Sequence, residues 1–283
     1  MSLPYHFWVG IALIACWWPI AWIQIQPFSD NYFFPLWLGY ILTVDGLVLR
    51  HTETSLIARS GWRFLYLFIL SVPLWCIFEG FNQILNNWMY HLPEQYSDAG
   101  YTLRASLAFS TVVPAVMVTT ELVRASRFNP LRKLPALIQG PGTLLRLHLL
   151  GWLMLIAVFT FPDRAFPLVW LALFFLIDPV ATYFGGRSVG SFLRNGDWSP
   201  VFNIAVGTVI CGFFWELWNY YALPRWTYSI PFADVLHVFE MPLLGYGGYI
   251  PFGLEIFAFY ALIAALLPRL RLPGTKVSSI ESN

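Results

Sequence analysis

Apolar residues run through this chain in stretches of about twenty, separated by short polar segments, with neither the alternation of a strand nor the single apolar stripe of a soluble helix. Reading between the polar breaks gives eight predicted spans, at about residues 5–25, 32–50, 62–85, 104–124, 146–162, 165–185, 201–223 and 249–268. Each approaches the ~20 residues a helix needs to cross the hydrocarbon core of a bilayer. The pattern therefore predicts an all-α, polytopic transmembrane bundle, since helices satisfy their own backbone where no water can. The first run opens MSLPYHFWVG, without a basic leader or a small-residue cleavage site, and reads as a retained span rather than a signal peptide.

The two halves match one another. The third span ends FEGFNQILNNWMY and the seventh ends WELWNYYALPRWTY, which aligns Glu79, Asn82, Trp88 and Tyr90 with Glu216, Asn219, Trp226 and Tyr228. Upstream, Pro35 precedes Asp45 as Pro167 precedes Asp178, and downstream 35 residues separate both Glu79 from Pro114 and Glu216 from Pro251. This predicts two four-span repeats, 1–124 and 146–272, joined by a linker at 125–145 and followed by a polar tail at 273–283. Four is an even number, so both repeats enter the membrane in the same sense and are related by an axis along its normal. Spans three and seven then hold equivalent places, and Glu and Asn three apart share a helix face. The expectation is a cleft near the outer surface in which Glu79 and Glu216 face each other.

Composition and charge narrow the class. Hydrophobic residues make up 58% of the 283 and charged residues 11%, against about 25% charged in an ordinary soluble domain. A formal charge of +1 and the lack of a Lys/Arg-rich tract argue against a nucleic-acid partner. With the termini inside, thirteen of the sixteen Lys and Arg fall on the inner side, and only Arg104, Arg164 and Arg225 fall outside. That bias predicts cytoplasmic termini. Cys16, Cys76 and Cys211 sit in apolar runs without metal-ligand or CxxC spacing and read as small buried hydrophobes. No HExxH, GxGxxG, Walker-type, CxxC or GxSxG motif stands where its chemistry needs it, so neither a metal nor another cofactor is expected.

Six of the fifteen acids fall inside the spans: Asp45, Glu79, Glu121, Asp178, Glu216 and Glu255. A charge there costs about 2.5–3.5 kcal/mol on insertion scales, so such groups face a bundle interior or a wet cavity. Two facing carboxyls can share one proton and so supply a general acid together with a base or nucleophile. They can also be hydrogen-bonded clasps between helices. Asp45 and Asp178 lie nearer the inner ends, where a clasp competes with substrate contact. Glu121, three residues before Arg124, reads as a surface ion pair, and Glu255 stays unassigned. The outer loop at 224–250 adds Asp234, His237 and Glu240 beside Trp226, Tyr228, Tyr246 and Tyr249. Glu240, ahead of Met241-Pro242, is a candidate third acid. The first-half counterpart keeps Glu94 and Asp98 but no such element.

Paired carboxyls, flanking amides and aromatic platforms at the water boundary supply what glycoside hydrolysis needs. One acid protonates the leaving oxygen while the other attacks the anomeric carbon or activates water. On this reading Glu79, Glu216 and Glu240 are catalytic candidates. Asn82 and Asn219 hold sugar hydroxyls, and Trp88, Tyr90, Trp226 and Tyr228 stack on the sugar or anchor at the interface. Asp234, His237, Asp45 and Asp178 are further substrate-binding candidates. The WE-led Asn segment, the FEMP element and the Pro-Phe-rich last span resemble bacterial intramembrane glycosidases over residues 75–124 and 212–260. That resemblance implies an inner-membrane enzyme that cleaves a lipid-linked sugar among membrane lipids, with Glu79 and Glu216 as acid and nucleophile or base in either order. The duplicated acidic segments also resemble lycopene-cyclase-type membrane proteins, in which carboxyls protonate a polyene. There the matching positions are Trp226, Tyr228, Glu240 and Pro242, while the consecutive Glu-Glu pair of that family has no counterpart. Proton-coupled transport is the non-enzyme alternative.

Overall fold

A computed structural model describes residues 2–92, 96–126, 128, 134–137 and 140–279; Glu94 and part of the 125–145 linker lie outside the described residues. The chain is an all-α polytopic bundle, with eight helical segments long and apolar enough to cross a membrane. The helices are α1 (Tyr5–Ile23), α2 (Phe33–Thr52), α3 (Leu56–Ser60), α4 (Leu65–Leu85), α5 (Asp98–Phe109) and α6 (Val112–Ala125) in the first half. The second half holds α7 (Pro141–Thr160), α8 (Pro162–Ala165), α9 (Val169–Tyr183), α10 (Val189–Arg194), α11 (Ser199–Asn219) and α12 (Tyr249–Leu266). Four short strands lie between them: β1 (Trp88–His91), β2 (Arg225–Tyr228), β3 (His237–Val238) and β4 (Met241–Pro242). Eight spans among the described residues put Tyr5 and the 272–279 segment at one end of the bundle, the terminal end, and the strands at the other.

In each half the first helix packs on the second through glycine. A Cβ on Gly10 of α1 would lie 2.6 Å from the Gly39 carbonyl oxygen of α2, and one on Gly151 of α7 would lie 2.7 Å from the Leu176 amide of α9. Between the halves, α6 packs against α11, while α6 also packs on α2 and α11 on α12 within their own halves. Cys211 is buried at this seam, where Tyr40 and Thr119 meet it. Cys16 and Cys76, expected to be buried, instead sit exposed on outward helix faces.

Proline interrupts both fourth spans at the same place. Pro114 and Pro251 are each the third residue of their helix, α6 and α12. A proline ring clashes with the carbonyl four residues earlier and offers that carbonyl no N–H. The chain therefore breaks into α5 and α6 in the first half, and into a 3-10 segment (Leu243–Gly248) and α12 in the second. Ser71 of α4 bridges the first break, donating to the Phe109 carbonyl at 2.5 Å and accepting from the Val113 amide at 3.0 Å.

At the terminal end, Asp45 and Asp178 are helix caps rather than substrate contacts. Asp45 accepts from the Ser55 hydroxyl at 2.7 Å and the Ile57 amide at 3.0 Å, which ties α2 to the N-terminus of α3. Asp178 accepts from the Val189 and Gly190 amides, both at 2.8 Å, and ties α9 to α10 in the same way. A carboxylate suits a helix N-terminus because the first amides lack intrahelical partners and carry partial positive charge. Both aspartates lie across the bundle from the strands, which removes them from any site there. Glu121 is also buried, not superficial: it accepts from Arg59 and from the Lys276 amide. Of the segment expected to be a polar tail, the described residues 273–279 are docked at the same end. Asn203 donates to the Val277 carbonyl at 2.8 Å, Ser278 to Asp197 at 2.5 Å, and Leu272 and Val277 are buried.

Candidate functional site

The two halves meet opposite the termini in an antiparallel ribbon. Strand β1 pairs with β2 in the register Trp88 with Tyr228, Met89 with Thr227, Tyr90 with Trp226 and His91 with Arg225. Exchanging the halves leaves this register unchanged, so a local two-fold passes between Met89 and Thr227. Alternation puts Trp88, Tyr90, Trp226 and Tyr228 on one face of the ribbon.

Two asparagines fix the ribbon to the helix ends. Asn82 accepts from the Asn87 and Trp88 amides at 2.9 and 3.2 Å and donates to the Trp88 carbonyl at 2.8 Å. Asn219 accepts from the Trp226 amide at 2.8 Å and donates to its carbonyl at 2.7 Å. Each amide thus completes the outer edge of a strand whose other edge bonds its partner. The expected sugar contacts from Asn82 and Asn219 give way to this backbone role, since both side chains are buried and committed.

Each glutamate is enclosed by rings of its own half. Glu79 Oε1 accepts from Trp75 Nε1 at 2.8 Å, Trp88 Nε1 at 3.2 Å and the Tyr90 hydroxyl at 2.6 Å. Glu216 Oε1 accepts from the Tyr228 and Tyr249 hydroxyls at 2.7 and 2.6 Å, and Trp226 Nε1 donates to the Tyr228 oxygen at 2.7 Å. The halves exchange a large residue for a small one. Trp75 stands four residues before Glu79, whereas the matching position before Glu216 is Gly212. The ring of Tyr249 fills that space, so close that a Cβ on Gly212 would lie 2.3 Å from its Cδ2. In the first half, Val112 starts α6 where Tyr249 starts α12. Neither Trp75 nor Tyr249 is singled out by the repeat motif alone; the Trp/Gly and Val/Tyr differences are the signal that could have found them.

Between the halves lies a cavity of about 670 Å³. Trp75, Trp88, Tyr90, Trp226, Tyr228 and Tyr249 form much of its aromatic wall, and Arg104, Arg164 and Arg225 also line it. Glu79 and Glu216 do not; Glu216 is 0% exposed and Glu79 is half-buried. No hydrogen bond joins the two carboxyls, and each is set behind phenols that reach the cavity, Glu79 behind Tyr90 and Glu216 behind Tyr228 and Tyr249. Burial, and then the carboxylates beside them, push the Tyr90 and Tyr228 phenols well above the usual tyrosine range, so both stay protonated.

The loop candidates fall elsewhere. Glu240, expected to be a third acid, accepts from Arg225 Nη1 at 2.6 Å and serves as its counter-ion. Asp234 and His237 form an exposed pair at 2.8 Å, and neither lines the cavity. Glu255 accepts from the Leu173 amide at 3.1 Å, and its Oε2 is buried without a partner. Among the described residues no His/Cys/Asp/Glu group is arranged to hold a metal ion. Comparison with protein-family models, curated proteins and solved structures gives no match, so the function has to be argued from this geometry.

Proposed function

We propose that this protein is an intramembrane enzyme performing acid–base chemistry on a lipid-soluble substrate in the cavity between its halves. The observation that carries the reading is a fully buried carboxyl, Glu216, whose two hydrogen-bond donors, Tyr228 and Tyr249, both line that cavity. Its Oε2 is buried without a partner, unlike the capping Asp178, which uses both oxygens. A proton held on Glu216 reaches a bound molecule when a phenol hydroxyl that donates to Glu216 turns toward the substrate, gives it its proton and takes the carboxyl proton in exchange. Reversal of this exchange returns the proton. Aromatic walls exclude water and favour positive charge developing on the substrate. Glu79 with Tyr90 forms the corresponding pair in the first half. With both termini cytoplasmic in an inner membrane, as the thirteen-to-three bias of Lys and Arg supports, the cavity belongs to the outer leaflet.

Hydrolysis of a lipid-linked sugar is the more specific version of this reading. It is favoured by the two carboxyl–phenol pairs flanking one aromatic cavity, with rings available to stack on a sugar. The test is to incubate the purified protein in nanodiscs with a bacterial lipid extract and follow the lipids by mass spectrometry. Wild type should deplete one lipid class, Glu216→Gln should abolish this, and Tyr228→Phe should slow it. Released sugar identifies glycoside hydrolysis, and a changed polyene absorbance identifies cyclisation. An inert wild type of intact helicity, or full activity in Glu216→Gln, overturns the enzyme reading.

A further inference from the structure

The three basic residues left at the strand end of the bundle, Arg104, Arg164 and Arg225, come from three separate elements, α5, α8 and β2, in both halves. All three line the same cavity. They are the cationic residues of a lining that is otherwise mostly rings and aliphatic groups, with Asp30 its one described acid. Arg225 is neutralised by Glu240. Arg104 and Arg164 make no ion pair among the described residues. Arg104 is held with its guanidinium carbon 4.4 Å from the Tyr96 ring centroid, and its Nε is buried without a hydrogen-bond partner. A guanidinium presents donors in a fork suited to phosphate or carboxylate oxygens. A long arginine serving only the interface would turn its head outward to water.

We propose that the cavity takes an amphiphile with a compact anionic headgroup, a lipid phosphate in chemical class, with Arg104 and Arg164 on the headgroup and the aromatic wall on the chain. This rests on the reading of the cavity as a lipid site and adds the substrate's charge to it. It also separates this site from one built for an uncharged polyene, for which two arginines on the cavity wall would serve no purpose.

The test uses the full chain in a neutral detergent, with quenching of tryptophan fluorescence by dibrominated acyl chains as the readout. The probes are dibromostearoyl phosphatidic acid, the matching dibromostearoyl diacylglycerol and inorganic phosphate. Phosphatidic acid should quench along a saturable curve, and the diacylglycerol should bind roughly tenfold or more weaker, the scale of one lost charge-assisted hydrogen bond. Arg104→Gln should weaken phosphatidic acid by a similar factor while leaving the diacylglycerol unchanged, and Arg104→Lys should restore part of the loss. Arg164→Gln, at an exposed position, should act in the same direction. Equal binding of the two lipids, or insensitivity to both arginine changes, overturns the headgroup assignment while leaving the cavity a lipid site. Displacement of phosphatidic acid by equimolar inorganic phosphate identifies a soluble anion and overturns the lipid part. Failure of both lipids to bind saturably overturns the lipid-site reading itself.

Discussion

Truncating Asn219 to alanine removes the clasp that joins the end of α11 to β2. The Trp226 amide and carbonyl, bonded to Asn219 at 2.8 and 2.7 Å, both lose their partner. They face away from β1, so the ribbon cannot take them over. A buried polar group left unpaired costs about 1–3 kcal/mol, which puts the two together at roughly 2–6 kcal/mol. The assay is unfolding of the purified protein by sodium dodecyl sulfate in mixed micelles, followed by far-UV circular dichroism. Asn82→Ala should lose a comparable amount, because it strips the Trp88 amide and carbonyl of the same bonds. Asn219→Asp, which keeps an acceptor for the Trp226 amide and loses the donor to its carbonyl, should fall between. A loss below about 0.5 kcal/mol for both alanine variants, the size of an ordinary surface change, refutes the clasp.

Gly212→Ala places a methyl 2.3 Å from Tyr249 Cδ2, so the ring must move off Glu216. The cost should be about 1–3 kcal/mol of overpacking, and the added change Tyr249→Val should recover part of the stability but not the substrate turnover. Spectrophotometric titration should show Tyr90 and Tyr228 ionising only above the usual tyrosine range or on unfolding. Because their phenols are raised in the folded state, their contribution to stability is full below about pH 10 and declines as the pH rises above it. Simultaneous titration of all tyrosines with the fold intact contradicts this. Deleting the chain from Leu272 onward exposes the seat of two buried apolar side chains and leaves Asn203 without the Val277 carbonyl, and should lower the unfolding midpoint clearly. An unchanged midpoint shows that the docked segment adds nothing.

The spans were legible because a bilayer demands long apolar runs whatever the packing, and the landmarks that suggest a repeat stand out because polar residues are rare in such runs. The proline breaks follow from Pro114 and Pro251, but Ser71, which satisfies the first break from a neighbouring helix, carries no local mark. The capping role of Asp45 and Asp178 was partly written in the sequence, since Ser55 and Ser188 each follow ten residues later at the start of a short helix. Helical spacing puts Asn82 and Asn219 on the same helix faces as their glutamates. It could not show that the strand backbone just beyond the helix would claim both amides. Nor could it show that rings rather than the carboxyls of Glu79 and Glu216 would line the cavity: equivalent helices bring equivalent residues to equivalent places, while neighbouring rings decide what reaches it. Arg104, Arg164 and Arg225 entered the sequence reading only as a topology count, because their convergence depends on three elements far apart in the chain.

The ribbon that unites the halves can be tested with one cross-link. The amides and carbonyls of Trp88 and Trp226 turn outward to the asparagines, so Met89 and Thr227 between them form a hydrogen-bonded pair, with Cα atoms about 5.5 Å apart. That spacing suits a disulfide. In a chain with Cys16, Cys76 and Cys211 replaced, Met89→Cys with Thr227→Cys should oxidise readily and hold the halves as one band after proteolysis of the 125–145 linker. Met89→Cys with Arg225→Cys should oxidise far more slowly. If the first pair stays reduced, or the mismatched pair bonds equally well, the halves do not meet at this two-fold and the shared aromatic cavity is lost with it.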